Sequence, residues 1–172
     1  ALAPLNETVQ DEPALFSQVH GIFFDGPLLD VVVSTVRLAL DIEPGDAGGR
    51  WLDVLELGCG DGKAGPLLRG LANRLHCVDL SPGALALARR RRAYDELERG
   101  EFVSTARALL PDSQDLVVAV DAVPYLGELG DFFGAVVSVL RPGGVAVFNA
   151  DVLRAPPKKA QHFIHPAPKA PP

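Results

Sequence analysis

The sequence predicts an α/β domain with a doubly wound, mostly parallel sheet flanked by helices. Two observations lead there: strand-length apolar runs alternate with helix-length patterns from residue 51 to residue 150, and the first strand runs straight into a glycine-rich loop. Taken in order, residues 1 to 14 contain proline and lack periodicity, whereas Leu28 to Leu40 has the spacing of an amphipathic helix that packs on the sheet. A Gly-rich linker, Glu43 to Gly49, resets the chain. Strand 51–57 follows, then helix 63–72, in which Pro66 is tolerated because it falls in the first turn. Strand 75–80 ends at Asp79, and Ser81 with Pro82 supplies an N-cap and an N1 proline for helix 83–93. A weak third strand is expected near 95–103, a buried parallel strand over 115–120, a helix over 128–140 and a fifth strand over 144–150. The chain divides into a leading segment with its packing helix, 1–49, a ligand-binding domain, 50–151, and a proline-rich tail, 152–172.

The run Trp51 to Gly62, WLDVLELGCGDG, carries the chemistry. A strand ends in Glu56, and glycines then occupy alternate positions 58, 60 and 62, the arrangement that lets ligand atoms lie against bare backbone ahead of a helix. A phosphate-binding P-loop would need glycine where Leu57 stands and a hydroxyl where Ala64 stands, so Gly62-Lys63 is a poor match. The dinucleotide pattern G-x-G-x-x-G fails from Gly58 but fits from Gly60 through Gly62 and Gly65, which keeps NAD open as an alternative ligand while leaving Glu56 and Gly58 without a role. The remaining pattern is an acid two residues before G-x-G-x-G. Asp79 stands at the end of the second strand, roughly 20 residues beyond Gly58, where a carboxylate can accept hydrogen bonds from both hydroxyls of a ribose.

Glu56, Gly58, Gly60 and Gly62 together resemble motif I of class I S-adenosylmethionine-dependent methyltransferases. The later stretches DLVVAV, from Asp115 to Val120, and LRPGGVAVFNA, from Leu140 to Ala150, extend that resemblance over about residues 50 to 151. The wording VDLSPG and YDEL is similar to the methyltransferase type 11/12 domain, including small methyltransferases attached to tetratricopeptide repeats. The resemblance implies a Rossmann-like sheet and S-adenosylmethionine as cofactor. It also implies roles: Glu56 facing the methionyl amino group, the backbone of Gly58, Cys59, Gly60 and Gly62 beneath the ligand, and Asp79 on the ribose. Leu80 would pack on the adenine, with Glu101 and Phe102 contacting the base. Asp121, with Ala122, would stand beside the sulfonium, and Tyr125 would line the acceptor pocket. Methyl transfer from a sulfonium is an in-line displacement with a neutral leaving group, so it calls for alignment and a dry pocket rather than one particular base. The acceptor is expected to be a small molecule or a protein side chain.

Composition sets limits on this reading. With 172 residues and 48% hydrophobic content the chain can bury one sizeable core, and it has no apolar run long enough to span a bilayer. No secretory signal is visible, and a cytoplasmic protein is expected, or one of an organelle matrix after removal of a targeting segment. Net charge −6 and a sequence pI of about 5.1 disfavour generic binding to nucleic acid. Arg89 to Arg92 is read as a helix end whose cations suit the helix dipole, with RNA contact as the rival reading, and Lys158 with Lys159 as part of a solvated tail. Cys59 and Cys77 are expected to be small packing residues in a reducing compartment rather than a disulfide framework, and Cys59 has no evident base that would make it a nucleophile. No metal site is expected, because neither the two cysteines nor His162 and His165 have a second ligand pair at zinc-site spacing; His20, His76, His162 and His165 are weak candidates for accepting protons.

The tail, RAPPKKAQHFIHPAPKAPP, departs from the family pattern. Proline lacks the donor that a strand ladder needs, so the usual C-terminal β-hairpin is expected to be missing and the fifth strand to be an edge that the tail or a partner protein covers. The chain contains no Met, so its first residue is expected to be something other than an initiator. These departures motivate an alternative function: a catalytically inactive methyltransferase-fold subunit with a structural or binding role in a larger assembly.

Overall fold

The computed structural model describes residues 26–43, 52–126 and 129–150. The remaining calls on residues 1–14, on the linker, on His20, on Trp51 and on the proline-rich tail lie outside the described residues. The elements are α1 (Gly26–Ala39), β1 (Leu52–Leu57), α2 (Gly65–Arg69), β2 (Ala72–Asp79), α3 (Pro82–Arg91), β3 (Glu96–Arg99), α4 (Phe102–Ala108), β4 (Gln114–Ala119), α5 (Leu129–Val139) and β5 (Leu140–Phe148). The five strands are all parallel, in the order β3-β2-β1-β4-β5. That is a Rossmann-like doubly wound sheet, and its topological switch point lies between β1 and β4, where crevices for ligands open at the carboxyl ends of the strands.

Alternation within the strands divides the core into two layers. Val54, Leu75, Leu116 and Val118 pack with Leu29, Val32 and Val36 of α1, with Leu40 just past it and with Leu68 of α2, and Cys77 on the same face meets Leu85 and Ala88 of α3. The helical spacing of those α1 residues is the reason that helix lies on the sheet. Leu55, Leu57, Val78, Val117 and Ala119 point the other way, towards Ala106 of α4 and Phe132, Ala135, Val136 and Val139 of α5. At the start of the strands, Arg141 donates to Asp115 Oδ2 at 2.6 Å and to Asp53 Oδ2 at 2.8 Å, tying the L-R-P-G-G turn to β1 and β4.

Several expected boundaries move. The third strand is four residues long and Phe102 starts a helix, α4, that the sequence reading did not anticipate. Its signal is Glu101, which sits at the N-cap and accepts from the N–H groups of Val103 and Ser104 at 3.0 and 2.9 Å. The fifth strand begins at Leu140 rather than residue 144, because Arg141 to Gly144 form an outward bulge between the Gln114–Leu140 and Leu116–Val145 pairs. The helix after β1 is shorter than expected, and β2 begins at Ala72.

Candidate active site at the strand ends

Glu56 lies near the end of β1, where the strand is covered on both faces. Its carboxylate is 3% exposed and accepts a 2.8 Å hydrogen bond from the Tyr94 hydroxyl. Burial, reinforced by the nearby carboxylates of Asp79 and Asp61 and opposed by the Tyr94 hydrogen bond, pushes the Glu56 pKa up to about 7. Burial and the neighbouring Glu56 raise that of Tyr94 as well. Glu56 is thus a buried acid whose environment favours the neutral form until a cation arrives beside it.

The loop after Glu56 has positive φ at Gly58 (81°), Gly60 (55°) and Gly62 (77°). Space is short as well: a Cβ at Gly58 would lie 3.0 Å from the Cβ of Ala122 and 3.1 Å from Cζ of Phe102, and one at Gly62 would lie 2.9 Å from the Cβ of Ala88. The bare backbone at Gly58 brings the ends of β1 and β4 and the Phe102 ring together. Two side chains outside the motif hold the loop. Asp79 Oδ2 accepts from the Gly60 N–H at 2.8 Å, while its Oδ1 accepts from the Ser81 N–H at 2.9 Å. Arg91 donates to the Asp61 backbone carbonyl at 2.6 Å and to Asp61 Oδ2 at 3.0 Å. Within the basic run, Arg91 is therefore a loop anchor. Ser81 caps α3 by accepting from Ala84 at 3.1 Å, as the sequence leads one to expect.

The cysteines require a correction. Cys59 and Cys77 are joined as a disulfide, with Cα atoms 5.8 Å apart, rather than serving as two separate packing thiols. The register pairs Glu56 with Cys77, so the loop that leaves β1 turns back over its neighbour and places Cys59 beside it. A sequence separation of 18 residues hides this proximity.

At the end of β4, Asp121 adopts φ 52°, an unusual conformation for a residue other than glycine. Asn149, just past β5, accepts from the Asp121 N–H at 2.6 Å, and its amide donates to Asp121 Oδ1. Sequence reasoning missed Tyr94, Asp61, Arg91 and Asn149. Asn149 alone left a signal, as a polar residue ending an apolar strand beside the switch point. The structure brings Glu56, the loop from Gly58 to Gly62, Asp79, Phe102 and Asp121 to one end of the sheet. Leu80, beside Asp79, is 51% exposed and Tyr125, in a 3-10 turn over Val123–Tyr125, is 60% exposed, so neither is packed into the crevice. Glu101 uses both carboxylate oxygens on its own helix.

These features fit a ligand such as S-adenosylmethionine: a cradle whose depth depends on missing Cβ atoms, a buried acid with no cationic partner among the described residues, and an aspartate hydrogen-bonded to the loop backbone.

Comparison with known proteins gives the same answer. The family model described as "Methyltransferase domain" matches residues 55–146. A probable S-adenosylmethionine-dependent methyltransferase of Mycolicibacterium smegmatis is 35% identical over 94 residues, covering 54% of this chain and 35% of the relative. The malonyl-[acyl-carrier protein] O-methyltransferase of Yersinia pestis is 33% identical over 97 residues, covering 56% of this chain and 35% of that protein. The chain thus spans about a third of the length of these relatives. The solved DhpI–SAH complex superposes with a TM-score of 0.56 at 28% identity, covering 79% of this chain and 63% of that one. With half its length matched by the family model and its sheet in the order β3-β2-β1-β4-β5, the chain belongs to the class I S-adenosylmethionine-dependent methyltransferases.

Proposed function

We propose that this chain binds S-adenosylmethionine over the Gly58–Gly62 loop and directs in-line methyl transfer to a small-molecule or protein acceptor. The observation that carries the reading is the pairing of two carboxylates on one loop: Glu56 buried beneath it, and Asp79 hydrogen-bonded to its Gly60 N–H. The cofactor supplies an electrophilic methyl group on a sulfonium. Glu56 holds the amino group and becomes ionised as it does so, and Asp79 turns its remaining lone pairs to the ribose hydroxyls. Phe102, beside Gly58, covers the apolar side of the ligand, while Leu80 and Glu101 contribute to adenine only by moving from their present positions. Asp121 and Tyr125 border the acceptor side.

An oxygen acceptor agrees with the Yersinia pestis relative, which is named for O-methylation of a malonyl group on a carrier protein. Acidic composition supports a non-nucleic-acid acceptor. No helix among the described residues is long and apolar enough to cross a membrane. Calorimetry on the full chain with S-adenosylmethionine, S-adenosylhomocysteine and NAD tests the cofactor. Binding of either adenosyl ligand, weakened roughly 10- to 100-fold in Asp79→Ala, is the expected result. Silence of the folded chain towards both adenosyl ligands, or binding of NAD alone, overturns the assignment.

A second reading, the inactive subunit, draws on the open side of β5. Phe148 there is 44% exposed, and among the described residues no further strand pairs with β5, an edge suited to a partner protein. Labelled-cofactor assays in extract separate the two, because transfer of label to any acceptor ends the inactive reading.

A further inference from the structure

His76, Glu96 and Glu98 meet on the face of the sheet opposite Tyr94, at the β2–β3 edge, and take no part in the methyltransferase site. The strand register aligns His76 with Glu96 and Val78 with Glu98, so all three side chains project to the same face. His76 is 3% exposed, and its Nε2 has no hydrogen-bond partner among the described residues, a costly state for a buried polar atom. The nearest acceptors are carboxylates: Glu98 Oε2 at 3.2 Å and Glu96 Oε1 at 4.0 Å. Arg74 donates to Glu96 Oε2 at 2.6 Å, which leaves Oε1 turned towards the imidazole and offsets one negative charge.

We propose that His76, Glu96 and Glu98 form a binding site for a divalent transition-metal cation that clamps edge strand β3 to β2. One donor atom from each residue can be chosen so that all three lie within 4.8 Å of one another. An ion bound at about 2.0–2.2 Å in tetrahedral geometry needs donors roughly 3.3–3.5 Å apart, which a small closure of the two half-exposed glutamates achieves. The buried imidazole anchors the site and selects against magnesium and calcium, whose ligands are oxygen. The carboxylates leave the outer side open to water, and two carboxylates with one imidazole suit zinc or manganese. The proposal is independent of the cofactor reading. The ion would sit on the opposite face of β2 from Asp79, three residues back along the strand, and would fasten an edge strand whose only neighbour among the described strands is β2.

The test uses the full chain stripped with chelator and titrated with Zn²⁺ by calorimetry, and with Co²⁺ by visible absorption. The expected result is one site of micromolar affinity. Its Co²⁺ spectrum should show four- or five-coordinate d–d bands without thiolate charge transfer. His76→Gln should abolish binding and Glu98→Gln should weaken it at least about tenfold, while a His162→Ala/His165→Ala variant binds as the parent does. If His76→Gln fails to fold, Glu98→Gln decides, because that side chain is 41% exposed and tolerates the change. Affinity no tighter than millimolar, a thiolate band, loss of binding with the tail histidines, or unchanged binding in either folded site variant overturns the proposal.

Discussion

The Tyr94 hydroxyl donates a 2.8 Å hydrogen bond to Glu56 Oε2 across 38 residues of sequence. Its ring also fills the space beside Gly65, where a Cβ would come within 2.6 Å of it. One side chain therefore supports the loop from below and sets the charge state of the acid within it. That bond opposes the rise in the Glu56 pKa, so Tyr94→Phe should drive it higher still. The expected cost at neutral pH is about 1.5–2 kcal/mol, measured by urea unfolding. An unchanged midpoint with an unchanged Glu56 titration would show that the bond contributes nothing.

Stability should fall as pH rises through the neutral range. A carboxyl at 4.5 in the unfolded chain and about 7 in the folded one binds more protons when folded, so its contribution is complete below pH 4.5 and lost by the time pH passes 7. The shift corresponds to about 3 kcal/mol, and Glu56→Gln should remove that slope. Adenosyl-ligand binding should run the opposite way, tightening as pH rises through 7, with proton uptake or release read from calorimetry in buffers of different ionisation enthalpy. A pH-independent unfolding free energy from pH 4 to 8 in the parent chain would contradict the burial of an unpaired acid.

Gly62→Ala should be strongly destabilising. The substitution combines φ 77° with contacts of 2.9 Å to Ala88 Cβ and 3.0 Å to Ala88 Cα, and the backbone on the buried face of α3 cannot withdraw as a flexible side chain could. A loss of about 2–4 kcal/mol is expected by denaturant titration, against under about 1 kcal/mol for Gly134→Ala, where a Cβ meets nothing within 4 Å. Equal effects at the two positions would mean that the loop relaxes freely.

Asn149→Ala should affect turnover more than cofactor affinity. It removes the acceptor of the Asp121 N–H and the partner of Oδ1, freeing a residue held at φ 52° at the end of β4, on the side proposed for the acceptor. The expected signature is a destabilisation of about 1 kcal/mol, S-adenosylhomocysteine affinity within about threefold of the parent, and a larger fall in methyl transfer. A parallel fall in both would place Asn149 in cofactor binding.

Local patterns determined much of this protein from the sequence alone. The alternation of runs specified a parallel sheet, since a period of two and a period of 3.6 are written in neighbouring residues. Ser81-Pro82 marked a helix start, and the spacing of Glu56, the glycines and Asp79 pointed to the candidate site, because a motif of that kind is carried by one strand–loop–helix unit and the end of the next strand. Tertiary structure decided everything that depends on two strands meeting. Cys59 reaches Cys77, Tyr94 reaches Glu56, Arg91 reaches Asp61, and Asn149 reaches Asp121, each through the lateral order of strands rather than through sequence spacing. The third strand was legible only as a weak run near 95–103, and the helix capped by Glu101 at the end of that run was not anticipated. ELER alternates without a clear apolar face, and its identity as a strand comes from the pairing with β2 that sets His76 beside Glu96.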